Sequence, residues 1–172
     1  MAMSGKRYYK FFLIGAVAIG LAALLFVSLT QKTAAPEVTF TDLNGNKISM
    51  QSLRGKMVLV NFWATSCPGC ITEMPHIVET YHQYHSKGFE VIAVAMAYDP
   101  PNYVMLFNQK RALPFPVALD IQGKLASQFD NVQLTPTSFL IDQQGNIVEQ
   151  TIGELDFVKL RKRLDQALIK QG

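Results

Sequence analysis

The chain is poor in cysteine and histidine. It has two of the first, Cys67 and Cys70, and three of the second, His76, His82 and His85. A structural zinc site needs about four ligands, and C-x2-C-x11-H-x2-H is the nearest pattern present. Its histidines stand too close together for a small finger, and its cysteines follow a strand rather than occupying a hairpin. Covalent haem needs a histidine directly after the second cysteine, and that residue is Ile71. A purely structural disulfide over so short a loop would constrain the unfolded chain little. Basic clusters are also missing. From Pro36 onward there are 12 Lys and Arg against 13 Asp and Glu, with no basic stripe, so nucleic acid is not an expected partner. There is no internal repeat and no low-complexity segment.

The positive excess lies in Lys6, Arg7, Lys10 and Lys32, which flank an apolar run. Phe11 to Leu29 reads FFLIGAVAIGLAALLFVSL, 19 residues without a charge. As a helix it spans roughly 28 Å, about one hydrocarbon core. The preceding basic residues favour a cytoplasmic N-terminus and export of the remainder of the chain. A cleaved signal is the competing reading. Its apolar stretch is usually about 7–15 residues long, and the best cut here, after Thr33-Ala34-Ala35, is followed by Pro36. No cysteine succeeds the run, which rules out a lipoprotein anchor. The organisation expected is therefore a cytoplasmic tail at 1–10, a signal-anchor at 11–29, a linker at 30–36 and an exported domain at 37–172.

Within that domain strands alternate with helices. Val38 to Thr41 and Lys47 to Met50 flank a hairpin signal at Asn44-Gly45. MVLVNFWA, Met57 to Ala64, and EVIAVAMA, Glu90 to Ala97, are continuous apolar runs of the kind a strand covered on both faces requires. Between them a helix is expected from Cys67 to about Tyr84, with Met74, Ile77, Val78 and Tyr81 on one face. A helix at 102–112, a strand at 115–119 and a short helix at 124–129 come next. Paired strands at 138–142 and 147–152 precede a closing amphipathic helix at 154–170. Met96 and Met105 read as core, and the three histidines as helix surface. The order implies a mixed α/β sheet with helices on both faces.

Redox cycling is the reading that local physics favours for the cysteine pair. A cysteine at the first turn of a helix meets unsatisfied N–H groups and the positive end of the dipole. Both stabilise the thiolate, which is the attacking species. Cys67 is placed for this. Cys70, one turn inside, can close the disulfide, and Pro68 is well tolerated in a first helical turn.

At these residues the chain resembles the thioredoxin superfamily, and within it the exported, membrane-anchored TlpA/ResA-like branch, which includes the CcmG-type reductases of cytochrome c maturation. The likeness covers essentially everything after Pro36. NFWATSCPGC matches the strand and active-site segment, Pro75 the proline that kinks the helix, and LTPTSFLID, Leu134 to Asp142, the segment around a cis-proline, here Pro136. The resemblance implies a thioredoxin-like domain extended by an N-terminal β-hairpin and preceded by one transmembrane helix. It implies that Cys67 and Cys70 form the redox-active disulfide and that Glu73 handles protons, although residue type alone also fits a solvated acid at the helix dipole. Substrate would meet Trp63, Pro68, Thr135 and Pro136, though packing alone also explains Trp63. Two positions depart from relatives: Ser66 stands where many have tryptophan, and Asn61 where thioredoxin has a buried aspartate. No bound cofactor and no metal are implied.

The function implied is thiol-disulfide exchange with protein thiols such as those of apocytochrome c, in the reducing direction. Electrons would come from a membrane thiol-reducing donor, and the domain would face the periplasm from the inner membrane. A thiol peroxidase on the same fold would need Pro at 60 and Thr at 64, where the chain has Val60 and Ala64. A module that shields thiols without turnover is the rival from another class. If 11–29 is a retained anchor, full-length protein is expected in the membrane fraction, with its domain digestible from outside in spheroplasts. A soluble form starting near Pro36 would contradict the anchor.

Overall fold

The computed structural model describes residues 33–168, together with 15 and 18–21, which have helical backbone. Most of the expected anchor at 11–29 lies outside the described residues. Among those described, no helix is long and apolar enough to cross a membrane. Residues 1–32 and 33–172 are separate compact units, and the second carries the cysteines.

Six strands form its main sheet: β1 (Thr33–Ala34), β4 (Met57–Trp63), β5 (Phe89–Ala95), β6 (Val117–Leu119), β7 (Thr137–Ile141) and β8 (Asn146–Ile152), in the spatial order β1-β8-β7-β4-β5-β6. β4, β5 and β6 run parallel; β7 is antiparallel to β4 and to β8. β2 (Thr39–Thr41) and β3 (Lys47–Ser49) make a separate hairpin. Leu43 N–H bonds Val117 O at 3.0 Å and ties this hairpin to β6. The stretch expected to be a linker at 30–36 contributes β1, which pairs with β8, and Ala35 is buried. The mixed sheet expected from the sequence is present, with element ends shifted by one to three residues.

Alternation along β4 divides the core. Met57, Leu59 and Trp63 point to one side, where they meet α1 (Pro68–Tyr84), α2 (Pro101–Arg111) and α4 (Phe157–Leu168) through Met74, Ile77, Val104, Leu160 and Leu164. Val58, Val60 and Phe62 point to the other, where the hairpin and α3 (Lys124–Gln128) cover them. On that side Phe62 lies 5.5 Å from Phe129 and 6.0 Å from Phe139 between ring centroids. Burial of each such side chain contributes about 1.5–3 kcal/mol. Met96 is buried as expected, but Met105 is 55% exposed. α2 fully buries only Val104, so the next position along the helix faces outward.

One turn chemistry closes both hairpins. In DLNGN, Asp42 Oδ1 accepts from Asn44 N–H and Asn46 N–H at 2.9 and 2.8 Å. In DQQGN, Asp142 Oδ1 accepts from Gln144 N–H and Asn146 N–H at 3.0 and 2.8 Å. Gly45 and Gly145 take the positive φ, 84° and 81°, that these turns require. The second turn joins β7 to β8, whose register shifts once between Leu140 and Ile141.

Candidate active site

β4 ends at Trp63, and the chain turns at once into α1. Cys67 occupies the N-cap with extended backbone, φ −94° and ψ 108°. Pro68 begins the helix without losing a needed N–H. Cys67 Sγ accepts from Cys70 N–H at 3.2 Å, so the sulfur takes up one of the donors that a helix start leaves unsatisfied. The two cysteines are joined as a disulfide, with Cα atoms 5.3 Å apart. Their exposure differs. Cys67 is half-buried and Cys70 is buried, which leaves Cys67 as the sulfur open to attack.

Glu73 is buried, one helical turn beyond Cys70. Its two oxygens have separate partners. Oε1 accepts from Asn61 Nδ2 at 3.0 Å, and Oε2 accepts from Leu155 N–H at 2.9 Å. Asn61 Nδ2 also donates to Ser138 Oγ at 2.9 Å. Desolvation pushes the Glu73 carboxyl above the ordinary glutamate value, the bonds from Leu155 and Asn61 pull it back in part, and the nearby Glu154 charge adds to the rise. No ion pair among the described residues involves Glu73.

Each contact has a local cause. Asn61 is the inward position between Leu59 and Trp63 on the α1 side of β4, and Ser138 is its directly paired residue in β7. Leu155 N–H is available because α4 starts at Phe157 rather than at 154. Asp156 Oδ1 caps that helix by accepting from Lys159 N–H at 3.0 Å. The same loop brings Glu154 against the active-site turn. A Cβ on Gly69 would lie 3.0 Å from Glu154 Oε1, so glycine lets the acid approach this closely.

Other loops carry the remaining residues singled out from the sequence. The Thr135–Pro136 bond is cis, and Pro136 O accepts from Gly153 N–H at 2.8 Å. Thr135 Oγ1 and Tyr98 Oη are 3.0 Å apart. Asp99, itself buried, accepts from Thr65 N–H at 2.6 Å and Thr65 Oγ1–H at 2.5 Å. The segment after β5 is thereby fastened to the segment that delivers Cys67. Trp63 is fully enclosed and its ring centroid stands 5.1 Å from that of Phe107. An enclosed ring presents no surface to a partner, so the expectation that Trp63 contacts substrate is corrected: it packs below the site, in the cluster that includes Cys70. His76, His82 and His85 are exposed, and no group of three metal-binding side chains occurs among the described residues.

Of the residues named from the sequence, Cys67, Pro68, Cys70 and Glu73 lie at the start of α1, and Thr135 and Pro136 lie in the loop before β7. Sequence reasoning did not find Ser138, the Leu155 N–H, or the Tyr98 and Asp99 contacts. The available signal was polarity inside buried strands, since Asn61 interrupts the continuous apolar run of β4 and Ser138 lies in the fully buried β7. Nothing comparable marks a backbone N–H in a loop.

Residues 30–168 match the Redoxin family. A thiol-disulfide oxidoreductase ResA of Bacillus thuringiensis is 45% identical over 120 residues, covering 70% of this chain and 68% of that protein. The ResA of Bacillus subtilis is 33% identical over 145 residues, covering 84% and 79%. Among solved structures, a thiol:disulfide interchange protein of Chlorobium tepidum superposes with TM-score 0.74 at 28% identity, covering 81% of this chain and 98% of that one.

The geometry makes a test of Glu73 by stability. Both oxygens face N–H donors, so Glu73→Gln sets its amide NH2 against one of them; leaving such a donor unpaired costs about 1–3 kcal/mol. That cost is independent of pH. The wild-type term is not: a carboxyl whose folded pKa is raised contributes most below its unfolded value, and the contribution is lost as pH rises through the folded value. Urea unfolding from pH 3.5 to 8 is therefore expected to show Glu73→Gln at its greatest disadvantage at low pH, the gap narrowing as pH rises. A constant gap would mean that the Glu73 pKa is not raised.

Proposed function

The chain belongs to the Redoxin family and is a thiol-disulfide oxidoreductase of ResA type with a Cys67–Cys70 pair, and from that premise we propose that it reduces protein disulfides outside the cytoplasmic membrane. The single observation that carries this reading is the buried carboxyl of Glu73, one turn from Cys70 and held by two N–H donors.

In the reduced protein Cys67, at the helix N-terminus, attacks as thiolate. A bond forms between Cys67 Sγ and one partner sulfur, the partner's S–S bond breaks, and the other partner sulfur leaves as a thiolate that takes a proton from solvent. Cys70 then gives its proton to Glu73 and attacks Cys67 Sγ. The mixed disulfide breaks, the second partner sulfur leaves, and the Cys67–Cys70 bond carries the oxidation. Two electrons pass from the dithiol to the partner, and the Glu73 proton returns to solvent. A carboxyl with a raised pKa exchanges protons near neutral pH better than an exposed glutamate.

The charges around the pair support this direction. A thiolate-stabilising site makes the dithiol form favourable and the protein oxidising. Here the helix N-terminus favours the Cys67 thiolate, but Glu73, one helical turn beyond Cys70, and Glu154, which reaches Gly69 from the loop before α4, oppose negative charge at Cys70. That balance supports a reductant. The apolar segment 11–29 would hold the domain at the outer face of the inner membrane. Apocytochrome c thiols are a fitting substrate class, with a membrane thiol-reducing protein as donor.

Trapping tests the roles. Cys70→Ser is expected to accumulate mixed disulfides with partner proteins on nonreducing gels, and Cys67→Ser is not. Alkylation of the reduced protein is expected to be faster at Cys67, with an apparent pKa below about 8.5. Trapping through Cys70 in the Cys67→Ser variant would reverse the assignment. Wild type that binds partners but does not reduce insulin, with dithiothreitol as electron source, would instead be a thiol-shielding module.

A further inference from the structure

We infer that Tyr98 is a specificity-determining residue of this oxidoreductase, selecting partner segments that carry an aromatic or large aliphatic side chain next to the reactive cysteine. The inference rests on the thiol-exchange reading above.

Tyr98 is 57% exposed, yet it is not a loose surface side chain. Its hydroxyl is 3.0 Å from Thr135 Oγ1, across 37 positions of sequence, and Thr135 is joined to the cis-proline Pro136. The backbone beneath it is tied to the other side of the site. Met96 N–H bonds Trp63 O at 3.0 Å, and Asp99 N–H bonds Met96 O at 2.9 Å. Asp99 in turn holds Thr65 through both its carboxylate oxygens. Thr65 is two residues before Cys67. Tyr98 is therefore tied to the loop that carries Pro136 and, through Asp99, to the segment that precedes Cys67, and it is more than half exposed.

That placement answers a departure in the sequence. Ser66, which is exposed, offers no apolar surface beside Cys67. Tyr98 offers one from the loop bonded to Thr65, and Leu134, 62% exposed, stands next to Thr135 in the chain. At Gly69, between the two cysteines, the neighbour is instead the Glu154 carboxylate. The apolar surface offered to a partner segment that meets Cys67 and Pro136 is thus Tyr98 with Leu134. A large apolar residue adjacent to the partner cysteine gains contact with the Tyr98 ring; a glycine there gains none. An aromatic contact is worth about threefold to tenfold in rate constant or affinity.

The test uses the reduced full chain in detergent micelles and three disulfides: a peptide disulfide with Phe beside each cysteine, the same peptide with Gly in those places, and hydroxyethyl disulfide as a partner with neither a peptide nor an aromatic ring. Stopped-flow oxidation gives the second-order rate constants. Wild type is expected to prefer the Phe peptide about threefold to tenfold. Tyr98→Ala is expected to abolish the preference, and Tyr98→Phe to keep most of it because the ring remains. Rates with hydroxyethyl disulfide are expected to agree within about twofold for all three proteins, a result that an indirect effect on Cys67 reactivity would not give. Preference retained in Tyr98→Ala, or no preference in wild type, overturns the assignment of Tyr98. Failure of wild type to react with any of the three overturns thiol exchange itself.

Discussion

A strand buried on both faces has no room for a polar side chain without a partner, and Asn61 is such a side chain in the middle of β4. It is fully enclosed, and leaving its amide unbonded would cost about 1–3 kcal/mol. Its Nδ2 is bonded twice, to Glu73 and to Ser138, which offsets the cost for the nitrogen, while Oδ1 has no hydrogen-bond partner. These bonds join β4, β7 and α1 at one point. Leu155 N–H adds the loop before α4 through the other Glu73 oxygen. The network thus fixes the register of the elements that carry Cys70 and the cis-Pro136 loop, and the carboxyl it holds is the group that the proposed chemistry uses.

The same arrangement sets two opposed electrostatic conditions within one helical turn. Cys67 Sγ faces the unsatisfied N–H groups of α1 and already accepts one of them. Cys70 is buried, with Glu73 one turn further on and Glu154 outside Gly69. In the proposed mechanism the more exposed sulfur engages the partner and the buried one resolves, a division that rests on burial and on the helix terminus.

Much of this was legible in the sequence because it depends on local rules. Apolar runs identified β4 and β5, glycine marked the hairpin turns, and the spacing of Met74, Ile77 and Tyr81 identified the buried face of α1. Cys67 at a strand-to-helix boundary was enough to suggest a thiolate. What was hidden depends on contacts between distant segments. Glu73 reads as an ordinary surface acid until Asn61 and Leu155 are brought to it from 12 and 82 positions away. Trp63 looked like a substrate contact because it ends a strand near the cysteines, but Phe107 on α2 covers it. Met105 looked like core because it is apolar, and the shallow contact of α2 leaves it outside. The edge strand at Thr33–Ala34 is too short to show any alternation.

The direction of electron flow is the claim on which the account turns, and the reduction potential of the Cys67–Cys70 pair tests it directly. The full chain is equilibrated in glutathione redox buffers and the dithiol fraction read from the fluorescence of Trp63, the single tryptophan, which packs in the same cluster as Cys70. With two carboxyls opposing the helix N-terminus, a value well below about −200 mV is expected. A value near the roughly −120 mV of strong oxidants would contradict it and make the protein a donor of disulfides.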